Sequence, residues 1–325
     1  MQLSQIIDLI KDDLLAVNKE LTAYTRSDID LINQVSEYII NSGGKRVRVI
    51  LTLLFAQLLE LENKEDAAKI ASITELIHTA TILHDDVVDD SSMRRGNPTA
   101  NKMFNNPAAV LVGDFVYTRA FQMIAKYRNP DLMSLYTDAV NVISEGEVRQ
   151  LINLGDLSID EQRYFEVIYS KTARLFEVCC HAIAMLKYPN DPEKQQHLAK
   201  FGTYIGTGFQ VVDDMIDYLS AKEESGKSRG DDLAEGKPTL PLIRLREVGN
   251  EVDKQLVEDI IMQKKGREVL DLVVERLQAN DCFTYCKQAA LAEAQKAKDI
   301  IKDFTDSPAK LALMALVDLS VSRNS

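Results

Sequence analysis

Apolar residues recur along this chain at intervals of three and four, the spacing that lines one face of an α-helix. Ile6, Leu9, Ile10, Leu14 and Val17 form one such stripe, and Leu31, Ile32, Val35, Tyr38 and Ile39 a second. Residues 47–62 are nearly all apolar and predict a buried helix. Long helices are predicted at about 65–90, 107–128, 130–155, 160–187 and 193–219, and amphipathic segments continue to about 322. Strand-like alternation is nearly absent. The breaks are short: Ser42-Gly43-Gly44, Asn129-Pro130 and Pro189-Asn190-Asp191-Pro192, where Asp191 before Pro192 suits a helix start. No low-complexity linker divides the chain, so the pattern predicts one domain, residues 1–325, built as an all-α multi-helix bundle. One polar stretch, SAKEESGKSRGDDLAEGKP at 220–238, is too long for an ordinary connection. It reads either as a solvated loop or, the preferred reading, as a lid whose Lys227, Arg229 and Lys237 close over an anion.

Two acidic clusters interrupt the helical pattern. Residues 84–90 read HDDVVDD after the apolar run TELIHTATILH. On a helix Asp85 and Asp89 share one face about a turn apart, while Asp86 points roughly 100° away. Residues 208–218 read GFQVVDDMIDY and repeat the DDxxD spacing with Asp213, Asp214 and Asp217, with Gln210 on their face. Carboxylates so spaced suit Mg²⁺, a hard cation that takes oxygen ligands and is commonly shared with a substrate phosphate. One such cluster alone reads as well as a solvated helix end. Two, each closing an apolar stretch, would repel one another unless cations intervene. The expectation is two helices facing across a cavity, bridged by Mg²⁺ and a polyphosphate. Gly202, Gly206 and Gly208 precede the second cluster, each at a helix cost of about 1 kcal/mol relative to Ala. They would let a backbone or a ligand approach closely.

Basic residues supply a matching anion site. GGKRVRV at 43–49 delivers Lys45, Arg46 and Arg48 at a helix start, where backbone N–H groups also favour anions. RRG at 94–96 follows the first acidic cluster, and Lys171-Thr172 lies inside a helical stretch. Arg suits bidentate phosphate contacts and Lys acts as a point charge. His78 shares a helical face with Thr74, Thr81 and Asp85, so its stripe leads to the acids. His84 has no second His at ligand spacing, which argues against zinc.

The overall charge narrows the partners. Lys plus Arg number 38 against 50 Asp plus Glu, a formal net charge of −12, which argues against binding nucleic acid or an anionic membrane. The absence of Trp also argues against base-stacking surfaces. The N-terminus lacks the basic start of a signal peptide, and the most apolar run, VILTLLFA at 49–56, is too short to span a bilayer. A cytoplasmic location without membrane insertion is expected. Cys179-Cys180 and Cys282/Cys286 have no further ligand pair nearby and read as ordinary thiols of a reducing compartment.

At these residues the chain resembles the trans-isoprenyl diphosphate synthases. The likeness rests on GGKR, DDxxD followed by RRG, KTA at 171–173, GFQxxDDxxD and GDDLAEGKPT at 230–239, and it covers nearly the whole length. LIHTATILHDDVVDDSSMRRGNPTAN, with VLVGDFVYTRAFQM at 110–123, is most similar to the octaprenyl-forming bacterial members. The resemblance implies the isoprenoid synthase fold, an all-α homodimer with a deep hydrophobic cavity in each subunit. It implies Mg²⁺ as cofactor, three ions per active site, with isopentenyl diphosphate and an allylic diphosphate as substrates. By the same resemblance Lys45, Arg48, His78 and Arg95 bind isopentenyl diphosphate, and Arg94, Lys171 and Lys237, with Lys227, bind the allylic diphosphate. Asp85, Asp89 and Asp213 are implied as the principal metal ligands, with Asp86, Asp214 and Asp217 in support. Asp90 stands where relatives often carry Glu.

The chemistry agrees with that assignment. Ionising an allylic C–O bond leaves a diphosphate with added charge and creates a carbocation. Cations stabilise the leaving group, and an apolar cavity with a closing loop excludes water that would capture the cation. Thr172, Gln210 and backbone carbonyls present negative dipoles without becoming nucleophiles, and the departing diphosphate serves as the final base. Product length follows cavity depth. Ala80 lies about 7–8 Å upstream of Asp85 at 1.5 Å per residue. Ala80 and Thr81 carry no bulky aromatic plug there, and Met123 and Phe121 are candidate floor residues. The expected activity is a long-chain, octaprenyl-type synthase extending farnesyl diphosphate for a quinone side chain. The alternatives are a shorter-chain synthase, a non-catalytic subunit that would have lost an acidic cluster, and a terpene cyclase that would lack the GGKRVRV and His78 pocket.

Overall fold

The structure, a computed structural model, describes residues 1–219, 229–263 and 266–322. The predicted all-α architecture holds. The helix predicted over 47–62 forms as Val47–Leu58, that over 65–90 as Lys64–Val88 and that over 107–128 as Asn106–Lys126. Those over 130–155 and 193–219 form as Pro130–Asn153 and Pro192–Leu219, and helices continue to Val321. Side chains set several starts: Asn63 accepts from the Glu65 N–H and Asp191 from the Lys194 N–H. Glu60 and Asp90 take left-handed φ values of 50° and 47° just beyond two helix ends and stop them.

Three local departures have physical reasons. The first stripe is split at Ile10, whose φ of −118° separates Leu3–Leu9 from Lys11–Thr25. The break turns the register, so Ile6, Ile10 and Val17 are buried while Leu9 is 38% exposed. The stretch over 160–187 is not one regular helix but Glu161–Ile168, a π-helical turn Tyr169–Ala173, and Arg174–Lys187. Finally, Met93–Arg94 pairs antiparallel with Asn97–Pro98, the only strand pair among the described residues and too short to show as alternation.

The chain falls into two compact units. In the first (Met1–Val140, Leu175–Gly202 and Ile301–Leu316), Val47–Leu58 and Asn106–Lys126 pack on Lys64–Val88. Phe55 stacks on Phe201 with centroids 5.5 Å apart, and the buried hydroxyls of Tyr136 and Thr74 meet at 3.0 Å. Among the described residues, Asn106–Lys126 alone is long and apolar enough to cross a membrane by length and composition. It buries Ala109, Val112, Val116, Ala120 and Ile124 in the core. In the second unit (Asn141–Arg174, Thr203–Ile300 and Val317–Ser325), Tyr218, Leu233, Leu242, Leu245, Val257 and Ile260 form a hydrophobic cluster.

The glycine before the second acidic cluster does what its position suggested. A Cβ on Gly202 would lie 2.6 Å from the Phe176 carbonyl carbon and 2.9 Å from Glu177 Cα, so the backbone of that neighbouring segment uses the space. Backbone cannot retreat as a flexible side chain can. Gly202→Ala is therefore expected to destabilise the protein by about 1–3 kcal/mol, seen as a lowered Tm in a thermal melt.

Candidate active site

The first acidic cluster closes the Lys64–Val88 helix. Asp85 and Asp89 are half-buried, and the Asp89 N–H donates to the Asp85 carbonyl at 2.8 Å. Asp86 is fully buried and turned elsewhere: its Oδ1 accepts from Arg94 Nε at 2.9 Å and Nη2 at 2.7 Å. Its Oδ2 is buried without a hydrogen-bond partner. The short hairpin explains this arrangement. Its two loop residues, Arg95 and Gly96, have φ of 53° and 78°, the positive pair that a type I′ turn demands. The turn aims Arg94 inward and lays the Arg95 guanidinium on Gly44, where a Cβ would lie 2.8 Å from its Cζ.

The residues expected to bind isopentenyl diphosphate also lie in this unit. Arg48 Nη1 lies 3.1 Å from His78 Nε2, and Arg48 Cζ sits 4.5 Å from the Phe176 ring centroid. A guanidinium can only donate, so Nε2 must be unprotonated and His78 is neutral with its proton on Nδ1. Burial, and then the charges of Arg48, Arg94 and Arg95, push the His78 pKa well below its ordinary value. Lys45 lies in the loop leading into this helix, and Arg46 at its left-handed N-cap donates to Asn18. Glu75, three residues before His78, is the group that sequence reading missed. Burial raises its carboxyl, opposed by the charges of Arg46, Arg48 and Arg95. An acid inside the apolar run TELIHTATILH was the available signal. Ala80 and Met123 are buried, at 0% and 3% exposure; half-buried Thr81 donates to the His78 carbonyl at 2.8 Å.

The second unit presents the other candidates. The π-helical turn holds Lys171 and Thr172, a geometry often found at functional sites. Gly146 packs directly beneath it, where a Cβ would lie 2.7 Å from Ser170 Cβ. Lys171 Nζ pairs with Glu147 at 2.7 Å. Thr172 Oγ1 donates to Gln210 Oε1 at 2.8 Å, and Gln210 Nε2 donates to Asp214 Oδ1 at 2.7 Å. Asp214 Oδ2 accepts from the Tyr164 hydroxyl at 2.6 Å. Both Asp214 oxygens are thus engaged by protein donors, unlike the supporting metal role expected for it. Tyr164 is a second residue that the sequence did not single out.

Asp217 accepts from the Asp231 and Asp232 N–H groups at 3.1 and 3.2 Å, which anchors the Asp231–Glu235 helix. The described end of the polar 220–238 stretch is therefore structured, with Gly230 and Gly236 at φ of 78° and 72° bracketing that helix. Arg229 donates to the Tyr218 carbonyl and pairs with Asp271, and Lys237 pairs with Asp232 and Glu235 at 3.3 and 2.6 Å. Lys227 lies outside the described residues.

The donor set suits a hard cation. Burial, and then the Asp232 carboxylate, push Asp214 up to about 7 and Asp217 up to about 8. Acids held so unfavourably call for positive charge. In the first unit the orphaned Asp86 Oδ2 is, by itself, an oxygen donor of the kind Mg²⁺ prefers. Among the described residues no three His, Cys, Asp or Glu form a closed metal cage. Mg²⁺ needs none, because one or two carboxylates hold it together with substrate phosphates.

Known proteins are similar to this chain over its whole length. A family model described as polyprenyl synthetase matches residues 29–277. The octaprenyl diphosphate synthases of Haemophilus influenzae and Escherichia coli are each 44% identical over 324 residues, covering 100% of this chain and 98% and 100% of theirs. A polyprenyl synthase of Caulobacter crescentus, solved with calcium and isoprenyl diphosphate, is similar with a TM-score of 0.94 and 34% identity, covering 100% of this chain and 98% of its own. A decaprenyl diphosphate synthase of Rhodobacter capsulatus gives 0.92 and 32%, covering 100% of both chains.

Proposed function

This chain belongs to the polyprenyl synthetase family, and from that premise we propose how its own residues perform the family's chemistry. It is a prenyltransferase, a long-chain all-trans-polyprenyl diphosphate synthase. The observation that carries this reading is the 44% identity, end to end, with octaprenyl diphosphate synthases. The product proposed is octaprenyl diphosphate, built from isopentenyl diphosphate and an allylic primer such as farnesyl diphosphate, for a quinone side chain. One domain, 1–325, working in the cytoplasm as a homodimer, completes the proposal. A shorter-chain product and a non-catalytic role are disfavoured by the same likeness and by two intact aspartate clusters.

Lys45, Arg48, His78 and Arg95 hold isopentenyl diphosphate. Neutral His78 keeps its Nδ1–H as a donor, because Arg48 already uses Nε2. Arg94 stays pinned by Asp86 and presents its remaining N–H to the allylic diphosphate. Lys171 and Lys237, with Lys227, bring point charges to that diphosphate, exchanging Glu147 and the Asp232–Glu235 pair for phosphate oxygens. Asp85, Asp89 and Asp213 would hold the metal, with Asp86 and Asp217 in support and three ions per site. Members of this family use divalent metals such as Mg²⁺, which when bound stabilise the charge of the diphosphate leaving group. Thr172 has its proton fixed on the Gln210 carbonyl, a very weak base. Its lone pairs can face an allylic cation, yet it cannot readily lose that proton and be alkylated.

Incubating the purified protein with farnesyl diphosphate, excess isopentenyl diphosphate and Mg²⁺ tests the reading. A C40 diphosphate is expected; accumulation of C20 would overturn the long-chain assignment, and no elongation would overturn the enzyme.

A further inference from the structure

The bonds around Asp214 form a chain with a fixed direction. A carboxylate only accepts, so the Gln210 end that meets Asp214 Oδ1 at 2.7 Å must be its NH₂. The carbonyl Oε1 of Gln210 then faces Thr172, and at 2.8 Å the Thr172 hydroxyl must be the donor. The same carboxylate takes the Tyr164 proton on Oδ2 at 2.6 Å. One carboxylate thereby sets every proton between Tyr164 and Thr172, in a chain drawn from two stretches of the second unit. Three of its four members are buried, Tyr164 at 4% exposure, Asp214 at 5% and Thr172 at 7%, with Gln210 half-buried between them. Tyr164 is itself held, edge-on to Phe165 with centroids 5.4 Å apart, on a helix that Asp160 caps through the Arg163 N–H. At the far end the π-helical turn presents Thr172 to the chain.

We infer that Tyr164 and Asp214 are positioning residues for the prenyl transfer, acting through Gln210 to aim the Thr172 oxygen, and that Asp214 is not a metal ligand. This rests on the prenyltransferase reading and adds to it a residue, Tyr164, that touches no substrate. Without the Tyr164 hydroxyl, Asp214 is free to rotate, Gln210 loses its orientation, and Thr172 turns its proton toward the reacting carbon. Substrates bind as before; the chemical step slows.

The test is a double-mutant cycle on the full-length protein with farnesyl and isopentenyl diphosphates. Tyr164→Phe is expected to lower kcat about 10- to 100-fold, the weight of one buried charge-assisted hydrogen bond, with both KM values within about twofold of wild type. In a Gln210→Ala background the same change should cost less than about twofold, because the chain is already cut. Equal losses in the two backgrounds would mean a merely structural tyrosine and overturn the inference. Asp214→Asn makes the same comparison if Tyr164→Phe does not fold. Its loss should also be suppressed by Gln210→Ala and be insensitive to Mg²⁺ concentration; rescue by added Mg²⁺ would make Asp214 a metal ligand and overturn the inference. An active wild type beside an equally active Tyr164→Phe sinks this inference alone, whereas an inactive wild type sinks the family chemistry with it.

Discussion

Asp85→Ala lowers kcat by about 10²–10³-fold, the effect of losing one preorganised electrostatic group at a reacting centre, while the protein melts no lower than wild type. The two halves of this expectation have different origins. Asp85 lies in the last turn of the Lys64–Val88 helix, where a negative charge opposes the macrodipole, so its removal relieves about 0.3–1 kcal/mol. The backbone bond from the Asp89 N–H to the Asp85 carbonyl does not depend on the side chain. Stability and catalysis therefore move apart, which a folding defect cannot imitate. Steady-state kinetics across a Mg²⁺ titration, beside a thermal melt, checks both. Near-wild-type turnover at saturating Mg²⁺ would contradict the metal assignment.

The second large effect is on the product. Ala80→Phe is expected to shift the product from C40 toward C15–C20. Ala80 sits five residues, about 7–8 Å of helix, before Asp85, and on the proposed route the growing tail runs back along that helix. A phenyl ring there ends the tunnel early. Because Ala80 is fully buried, the ring will also strain its surroundings by about 1–3 kcal/mol, so the melt must be read beside the product analysis. A folded variant that still makes the parent chain length would show that the tail takes another path.

The sequence revealed the helices because their order follows from burial, and burial writes a three-and-four repeat. It revealed the two aspartate groups because acids at the ends of apolar stretches are costly and conspicuous. It was silent where position depends on backbone detail. The hairpin that aims Arg94 at Asp86 has two residues per strand, below any alternation signal. The split at Ile10 changes which face is buried without changing which residues are apolar. Tyr164 looks like any aromatic on a helix, and nothing local reports that its hydroxyl meets an aspartate fifty positions away. Glu75 was different: an acid within a buried stretch is legible, and its meaning came only once three arginines were seen around it.

The π-helical turn at Tyr169–Ala173 has a consequence for how this chain can vary. It holds one residue more than regular winding would, so Lys171 and Thr172 follow a different angular count from Glu161–Ile168 before them. Deleting a single residue there would let the coil tighten to 3.6 per turn with its hydrogen bonds intact, and would swing the lysine and threonine by roughly 100°. The helix would survive and its tools would face the wrong way. A one-residue gap at this place in any natural variant therefore marks lost chemistry in a chain that still folds.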